Sequence, residues 1–176
     1  MSTGGSFTER VRQELSRVEV PDAEARAELG VVLRLAGTFH RIGTTRGSRT
    51  TLEVTTSSGA VARRVFGLLP RVHPVRPQLW VREPGGVRTG TTYGLLVEDD
   101  VDALAAATGL ADPDGRPVPG LPGAPPPAVA VRGALLTVAS LSDPGRPVHV
   151  ELRVPSEAVG EDLDHALRAL GARPHH

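Results

Sequence analysis

Apolar residues along the chain switch repeatedly between the spacing of a helix and that of a strand. A capping box over residues 6–9 predicts a first helix that runs to about Arg17. Asp22 is placed to cap a second helix, which carries the apolar residues of 29–39 and is expected to end near Gly43. The chain is therefore predicted to begin with two helices before its first strand.

A strand and a third helix are predicted next. Residues 50–56 alternate in polarity and are rich in β-branched side chains, which is typical of a half-buried strand. Ser57 or Ser58 is then placed to cap a helix with an apolar face, and Pro70 is expected to end it. The order of elements up to this point is helix, helix, strand and helix.

A hairpin and a short helix complete the first part of the chain. Residues 78–83 and 91–97 have strand character and are separated by a turn signal at 84–86. Asp99 is placed to cap a short helix that reaches Thr108. Together the segments predict an α+β domain.

One block of this pattern occurs twice. The face formed by Leu29, Val32, Leu33 and Ala36 recurs 102 residues later, and a strand and a helix that follow it recur at an offset of 98. In the second copy only residues 171–176 follow the last helix, whereas the first copy continues through two more strands. The corresponding positions of the second helical face are Val131, Ala134, Leu135 and Val138. The sequence thus predicts a duplicated domain with a truncated second repeat.

A segment rich in proline and glycine separates the two copies. Residues 112–127 read DPDGRPVPGLPGAPPP, a composition that opposes regular structure and predicts an exposed or partly extended connector. The predicted organisation is an N-terminal arm helix with the first repeat over 1–110, a linker over 111–127 and an incomplete second repeat over 128–176.

Charge is balanced overall but unevenly placed. The net charge is zero, yet residues 41–93 hold nine arginines against two acids. A basic sheet in this segment is one interpretation, with phosphate as its ligand. The other is that these arginines pair with the acidic second half of the chain. The candidate DNA-binding residues are Arg46, Arg49, Trp80, Arg82 and Arg88. Trp80 shares a strand face with Arg82 if Leu79 and Val81 mark the core side, although a lone tryptophan can also be a core residue.

Several kinds of chemistry have no support in the sequence. There is no cysteine, so thiolate metal sites and cysteine nucleophiles are excluded. The six histidines are scattered, and no nucleotide-binding or hydrolase fingerprint is present. No apolar run approaches the roughly 20 residues that span a bilayer, and no secretory signal is evident. We therefore expect a non-enzymatic cytoplasmic protein, with nucleoid association open, that has no cofactor, metal or membrane partner.

Several motifs in the same order carry a resemblance to a known family. They are FTERVRQEL at 7–15, LRLAGTFH at 33–40, AVARRVFGLL at 60–69 and SLSDP at 140–144. These segments resemble the N-terminal domain of WhiA, a bacterial regulator of cell division and sporulation that is similar to LAGLIDADG homing endonucleases. The resemblance implies a duplicated αββαββα fold in which two LAG helices pack together and the sheets form a saddle that can face DNA.

The resemblance also implies which residues join the repeats and what is missing. The implied contacts between the LAG helices come from Leu33, Ala36, Gly37, Leu135, Val138 and Ala139. A helix-turn-helix domain normally follows in WhiA and supplies most of the specific DNA binding. Because no such domain is present in this sequence, weak and largely non-specific DNA binding is expected.

Nuclease activity is not expected. A homing endonuclease needs an acid at the end of each LAG helix to hold divalent metals. After the first LAG helix the sequence reads His40, Arg41, Ile42 and Gly43, with no acid. After the second it offers only Asp143, and an aspartate before a proline is typical of a turn.

Two functions from different classes remain open. The first is a non-enzymatic transcriptional regulator domain that binds DNA through a basic sheet. The second is a protein-interaction module that binds a transcription or division protein without contacting DNA. A homodimer through the open sheet edge of the second repeat is a further candidate association.

Overall fold

Helices and strands alternate through both halves of the chain. The computed structural model describes residues 6–44, 47–85, 90–147 and 149–175. The elements are, in order, α1 (Phe7–Leu15), α2 (Asp22–Ala36), β1 (Gly37–Thr44), β2 (Gly47–Thr56), α3 (Gly59–Val72), β3 (Gln78–Arg82), β4 (Thr92–Val97), α4 (Val101–Ala107), α5 (Pro127–Thr137), β5 (Ala139–Leu141), β6 (Val150–Leu152) and α6 (Glu157–Ala169).

The first repeat is an antiparallel sheet covered by helices on one face. Its strand order is β1-β2-β4-β3, and β2 and β4 are the central strands. Leu52 and Val54 of β2 are paired with Val97 and Leu95 of β4, and all four are buried. They pack with apolar residues of α2 and α3 in one core. The period-two alternation of these strands therefore decides which face of the sheet meets the helices.

The second repeat is smaller and has its own core. Within the described residues it contains α5, the hairpin β5-β6 and α6, which correspond in order to α2, β1, β2 and α3. Ala130 and Ala134 of α5 pack with Val159 and Leu163 of α6. The internal duplication is thus visible in the order of elements.

The two LAG helices, α2 and α5, pack against each other and exchange side chains. Val31 of α2 lies in the core of the second repeat, and Leu136 of α5 lies in the core of the first. At the crossing, a Cβ added to Gly133 would lie 2.5 Å from Val31 Cγ1. The small residue at position 133 therefore permits the close approach of the helices, and each repeat completes the core of the other.

The end of the second helix was predicted wrongly. α2 ends at Ala36 instead of near Gly43, and Phe39 and His40 lie in β1. β1 pairs with β2 along its whole length, from Gly37 opposite Val54 onward. Ladder hydrogen bonds with β2 thus replace helical ones, and His40 does not cap the LAG helix.

Three other boundaries also differ from expectation. Pro70 lies inside α3, which continues to Val72, because its missing N–H affects one bond in the final turn. Asp22 is already helical, and Pro21 occupies the N-cap position. Before α4 the N-cap residue is Asp100, with a positive φ of 54° and no side-chain cap bond, whereas Asp99 had been expected. Ser58 caps α3 through a bond from the Val61 N–H.

The connector between the repeats is packed more closely than predicted. Leu121 is buried in the second core, and its N–H donates to Asp162 Oδ2 at 2.6 Å. Arg34 of α2 donates to the carbonyl of Val118, and burial lowers the pKa of the Arg34 guanidinium. Two side chains therefore satisfy backbone groups that a buried loop would otherwise leave without partners.

Candidate nucleic-acid interface

The face of the first sheet that points away from the helices is the candidate interface, and we call it the outer face. Residues directly opposite each other in a sheet share a face, so the registers define its members. The described outer-face residues are Thr38, His40, Ile42, Arg49, Thr51, Glu53, Thr55, Gln78, Trp80, Arg82, Thr92, Gly94 and Leu96. This face combines an aromatic ring, two arginines and several hydroxyl groups.

Trp80 and Arg82 form the aromatic and cationic part of the outer face. The guanidinium of Arg82 lies 5.1 Å from the centroid of the Trp80 ring. Trp80 is directly opposite Gly94, and a Cβ built on Gly94 would overlap the indole. Trp80 is therefore a half-buried residue that covers the backbone of β4, outside the main core.

The contact with Gly94 predicts a specific effect of mutation. Changing Gly94 to alanine is expected to push the indole off β4, destabilise the fold by about 1–3 kcal/mol and move the Trp80 emission to longer wavelength. Urea unfolding and fluorescence spectra measure both effects. Gly43→Ala in β1 is the control, because a Cβ there has no neighbour within 4 Å. Equal behaviour of the two variants would contradict the proposed role of Gly94.

Acids on or beside the outer face offset part of its positive charge. Arg49 donates to the Glu98 carbonyl at 3.2 Å and pairs with its carboxylate at 3.2 Å. Gln78 donates to the same carboxylate, and His40 Nε2 lies 3.8 Å from Glu53 Oε2. Among the described residues no carboxylate pairs with Arg82. Arg82 is thus the described outer-face arginine whose charge is not offset by an ion pair.

The nine arginines of residues 41–93 do not all lie on the sheet, and the acids that pair with two of them lie in α2 instead of the acidic second half of the chain. Arg64 pairs with Glu28, and Arg71 pairs with Asp22, both from α3 on the helix side. Arg46 and Arg88 lie outside the described residues. The structure therefore divides the basic segment between internal ion pairs and the outer face.

The edge strand β3 leaves apolar side chains exposed. Leu79 and Val81 are opposite the inward-facing Leu95 and Tyr93, so they point to the helix side as the alternation predicted. They are nevertheless 51% and 52% exposed, because the helices cover the central strands more fully than this edge. Leu79 and Val81 are therefore not core residues.

A buried cluster of charges lies where α2, α3 and α5 meet. Glu28 is fully buried, and its carboxylate accepts from Arg64 of α3 and from Arg132 Nε of α5 at 2.6 Å. Arg132 also donates to Glu24 at 3.1 Å, and Arg64 donates to the carbonyls of the loop before α2. This Glu28 cluster joins both repeats and the N-terminal arm.

The residues expected between the LAG helices lie in different places. Leu33 and Ala36 pack in the first core, where a Cβ on Gly37 would meet the Leu33 carbonyl oxygen at 2.5 Å. Leu135 lies instead on the side of α5 that lines a groove of the second repeat. Val138 and Ala139 follow α5 and are partly or fully buried.

Sequence reasoning missed the residues at the helix crossing itself. Val31 and Gly133 make the close contact, and they differ by the same offset of 102 that relates the two helical faces. The missed signal was a glycine in one copy opposite a β-branched residue in the other. Alignment of the repeats identified the helical faces that meet each core, but not the neighbouring positions at which the two helices cross.

The ends of the LAG helices carry no acid. The last turns of α2 and α5 and the two residues after each helix contain no Asp or Glu. In the part of the chain that the structure describes, no group of three or more His, Cys, Asp or Glu side chains is placed to hold a metal ion. In those same ranges, no helix is long and apolar enough to cross a membrane. Asp143 lies in the turn after β5, where its carbonyl accepts from Arg146.

Comparison with known proteins identifies the family. A model of the WhiA N-terminal LAGLIDADG-like domain matches residues 22–111. Proteins named probable cell division protein WhiA from Acidothermus cellulolyticus and Renibacterium salmoninarum are each 37% identical, over 96% and 94% of this chain and 53% and 52% of their own length. The chain thus spans about half the length of these curated relatives.

Solved structures give the same fold. The N-terminal LAGLIDADG domain of DUF199/WhiA aligns with a TM-score of 0.66 at 17% identity, covering 93% of this chain and 74% of that domain. Full-length DUF199/WhiA from Thermatoga maritima aligns with a TM-score of 0.63 at 18% identity, over 94% of this chain and 50% of that one. The α+β LAGLIDADG-like fold expected from the sequence is confirmed. The chain belongs to the WhiA family and matches the N-terminal LAGLIDADG-like domain of that family.

Proposed function

We propose that this chain is a non-enzymatic regulatory domain of the WhiA type that acts in cell division and sporulation and binds DNA weakly through the outer face. The relatives named above support the part concerning cell division, since they carry that role in their names. The observation that carries the DNA proposal is the pairing of Trp80 with Arg82 on an otherwise open face. An aromatic ring can stack on a base, and an uncompensated arginine can contact phosphate.

The binding is expected to be weak, depend on salt and show little sequence preference. Glu98 offsets the charge of Arg49, so few outer-face cations are free to neutralise phosphates. If two or three phosphates are contacted, the slope of log K against log salt is about −2 to −3. The full basic segment, contacting about six phosphates, would give a slope near −5.

Fluorescence anisotropy of a labelled duplex tests this proposal. The Arg82→Ala variant is expected to lose at least about tenfold in affinity at low salt, a loss of roughly 1.4 kcal/mol, and to give a shallower salt slope. Arg17→Ala serves as the control, because Arg17 is an exposed arginine of α1 that pairs with Glu14. An equal loss in both variants would show that net charge, rather than the outer face, governs binding.

Nuclease activity is not part of the proposal. The absence of acids at the ends of α2 and α5 leaves the Mg²⁺-dependent mechanism of homing endonucleases without its metal ligands. Incubation with supercoiled plasmid and Mg²⁺ should leave the plasmid intact. Mg²⁺-dependent cleavage by the unmodified chain that is lost in the Asp143→Asn variant would contradict a purely regulatory role, whereas cleavage that persists in that variant would indicate a contaminating nuclease.

A second candidate function is the binding of a transcription or division protein without DNA. The exposed apolar side chains of Leu79 and Val81 on the edge strand β3 favour this alternative, because a partner strand can pair there and cover them. Absence of DNA binding at low salt would favour this protein-interaction module over the regulator that contacts DNA.

A further inference from the structure

A cavity of about 200 Å³ lies between the two repeats, beside α1. The other elements around it are the ends of α2, β2 and α5 and the start of α3. The lining residues include Arg12, Val54, Thr56, Ser57, Val61 and Thr137. One ordered water needs only about 10–15 Å³, so the cavity has room for a small molecule.

Arg12 of α1 contributes a buried donor that has no acceptor. Its Nη2 donates to the carbonyl groups of Thr137 at 3.0 Å and Ala139 at 3.1 Å, at the end of α5. Its Nε is buried, and among the described residues nothing accepts a hydrogen bond from it. Buried donors without a partner are rare in folded proteins. The cavity that Arg12 lines is the place where a missing acceptor can lie.

The charge of Arg12 also lacks a direct counter-ion. In the described ranges, no carboxylate forms an ion pair with it. Glu9, one turn earlier on α1, accepts instead from Ser58 Oγ at 2.9 Å. Burial lowers the pKa of the Arg12 guanidinium, and the charge of Glu9 opposes this effect only in part. The guanidinium has therefore lost water without gaining a bonded anion.

Hydroxyl groups line the same cavity and can donate to an anion. Thr56 Oγ1 accepts from the Ser58 N–H at 3.1 Å, and its own O–H remains able to donate. Ser57 contributes a second hydroxyl group to the lining. Val54 and Val61 make another part of the wall apolar. An arginine beside hydroxyl donors is a combination that binds oxyanions.

We propose that this cavity binds a small oxyanion, a phosphate group, through Arg12 Nε and the hydroxyl group of Thr56. The phosphate is either free or part of a small monoester whose organic group lies against the apolar wall. Arg12 is bonded to the end of α5 and Thr56 belongs to β2, so a bound phosphate joins the two repeats. The site does not include Trp80 or Arg82, and the proposal is therefore independent of DNA binding by the outer face.

Titration with inorganic phosphate, with ionic strength held constant by chloride, tests the site. The Arg12 Nε–H signal in NMR spectra is expected to shift and saturate, and calorimetry gives the affinity. Phenyl phosphate is titrated in a second series. Tighter binding of phenyl phosphate would identify a monoester as the preferred ligand, and equal binding of the two probes would identify free phosphate.

Substitutions test which groups bind the anion. Arg12→Gln is expected to lower the affinity for phosphate at least about tenfold, because it removes the cation and the unpaired N–H. Arg10→Gln is the matched control, since Arg10 is an exposed cation of the same helix, and this variant should bind as the unmodified chain does. Thr56→Val keeps the side-chain shape without the hydroxyl group. It should weaken binding severalfold, and it tests the site even if Arg12→Gln does not fold.

Two results would overturn the proposal. One is an Arg12 Nε–H signal that stays unchanged up to roughly 100 mM phosphate, which would mean that water alone fills the cavity. The other is an equal loss of phosphate affinity in Arg12→Gln and Arg10→Gln, which would indicate a general effect of net charge.

Discussion

Replacing Glu28 with glutamine is expected to destabilise the domain by about 3–5 kcal/mol, one of the two largest effects that the structure predicts. Glu28 is fully buried and binds the guanidinium groups of Arg64 and Arg132, which are only 8% and 13% exposed. The amide keeps the shape of the side chain but removes its charge. Two poorly solvated cations then lie close together without their shared anion.

Urea unfolding, followed by circular dichroism, measures this effect. Glu14→Gln is the matched control, since Glu14 pairs with Arg17 but both are exposed, so a small change is expected. Because the Glu28 cluster joins α2, α3 and α5, the Glu28→Gln variant should lose both repeats in one transition. A change as small as that of the control would contradict the central structural role of Glu28.

The second large effect is expected at the crossing of the LAG helices. Gly133→Val should cost about 3 kcal/mol, because a Cβ at this position would already lie 2.5 Å from Val31 Cγ1. The backbones of α2 and α5 must then separate. Separation also exposes Val31, which lies in the core of the second repeat, and Leu136, which lies in the core of the first.

The control for this prediction is another glycine in a helix. Gly67 of α3 is exposed and a Cβ there has no neighbour within 4 Å, so Gly67→Ala should stabilise the domain by up to about 1 kcal/mol through helix propensity. Gly133→Ala should destabilise it despite the same gain in propensity. If both alanine variants were stabilising, the helices would not be in close contact at Gly133.

The secondary structure could be predicted best where one periodic signal dominated. The strand around Leu52 and the helix capped by Ser58 followed from alternation and capping, which act over a few residues. The end of α2 could not be placed in this way. Its apolar residues fit a continued helix, and only pairing of β1 with β2, a contact made in the folded chain, selects the strand.

The candidate site was harder to predict because charge on a sheet depends on three-dimensional neighbours. The face shared by Trp80 and Arg82 followed from period two. Their surroundings did not, because Glu98 reaches Arg49 across the sheet and Glu28 takes Arg64 from the helix side. Composition gave nine cations in one segment, whereas the described outer face presents one arginine that no acid offsets.

The two sides of the first repeat have different roles. The helix side carries the Glu28 cluster and the crossing of α2 with α5, which hold the two repeats together. The outer face carries the candidate DNA-binding residues Trp80 and Arg82. Substitution of an exposed outer-face residue such as Arg82 should therefore alter binding with little loss of stability.

Acrylamide quenching of Trp80 fluorescence, with and without duplex DNA at low salt, tests the proposed interface most directly. Trp80 is the sole tryptophan of the chain, so the whole signal comes from the outer face. If DNA binds there, quenching falls as DNA is added, with the same midpoint as the anisotropy titration, and salt restores it. DNA that binds the chain while quenching stays unchanged would place the interface elsewhere, and absence of binding at low salt would leave a protein-interaction module.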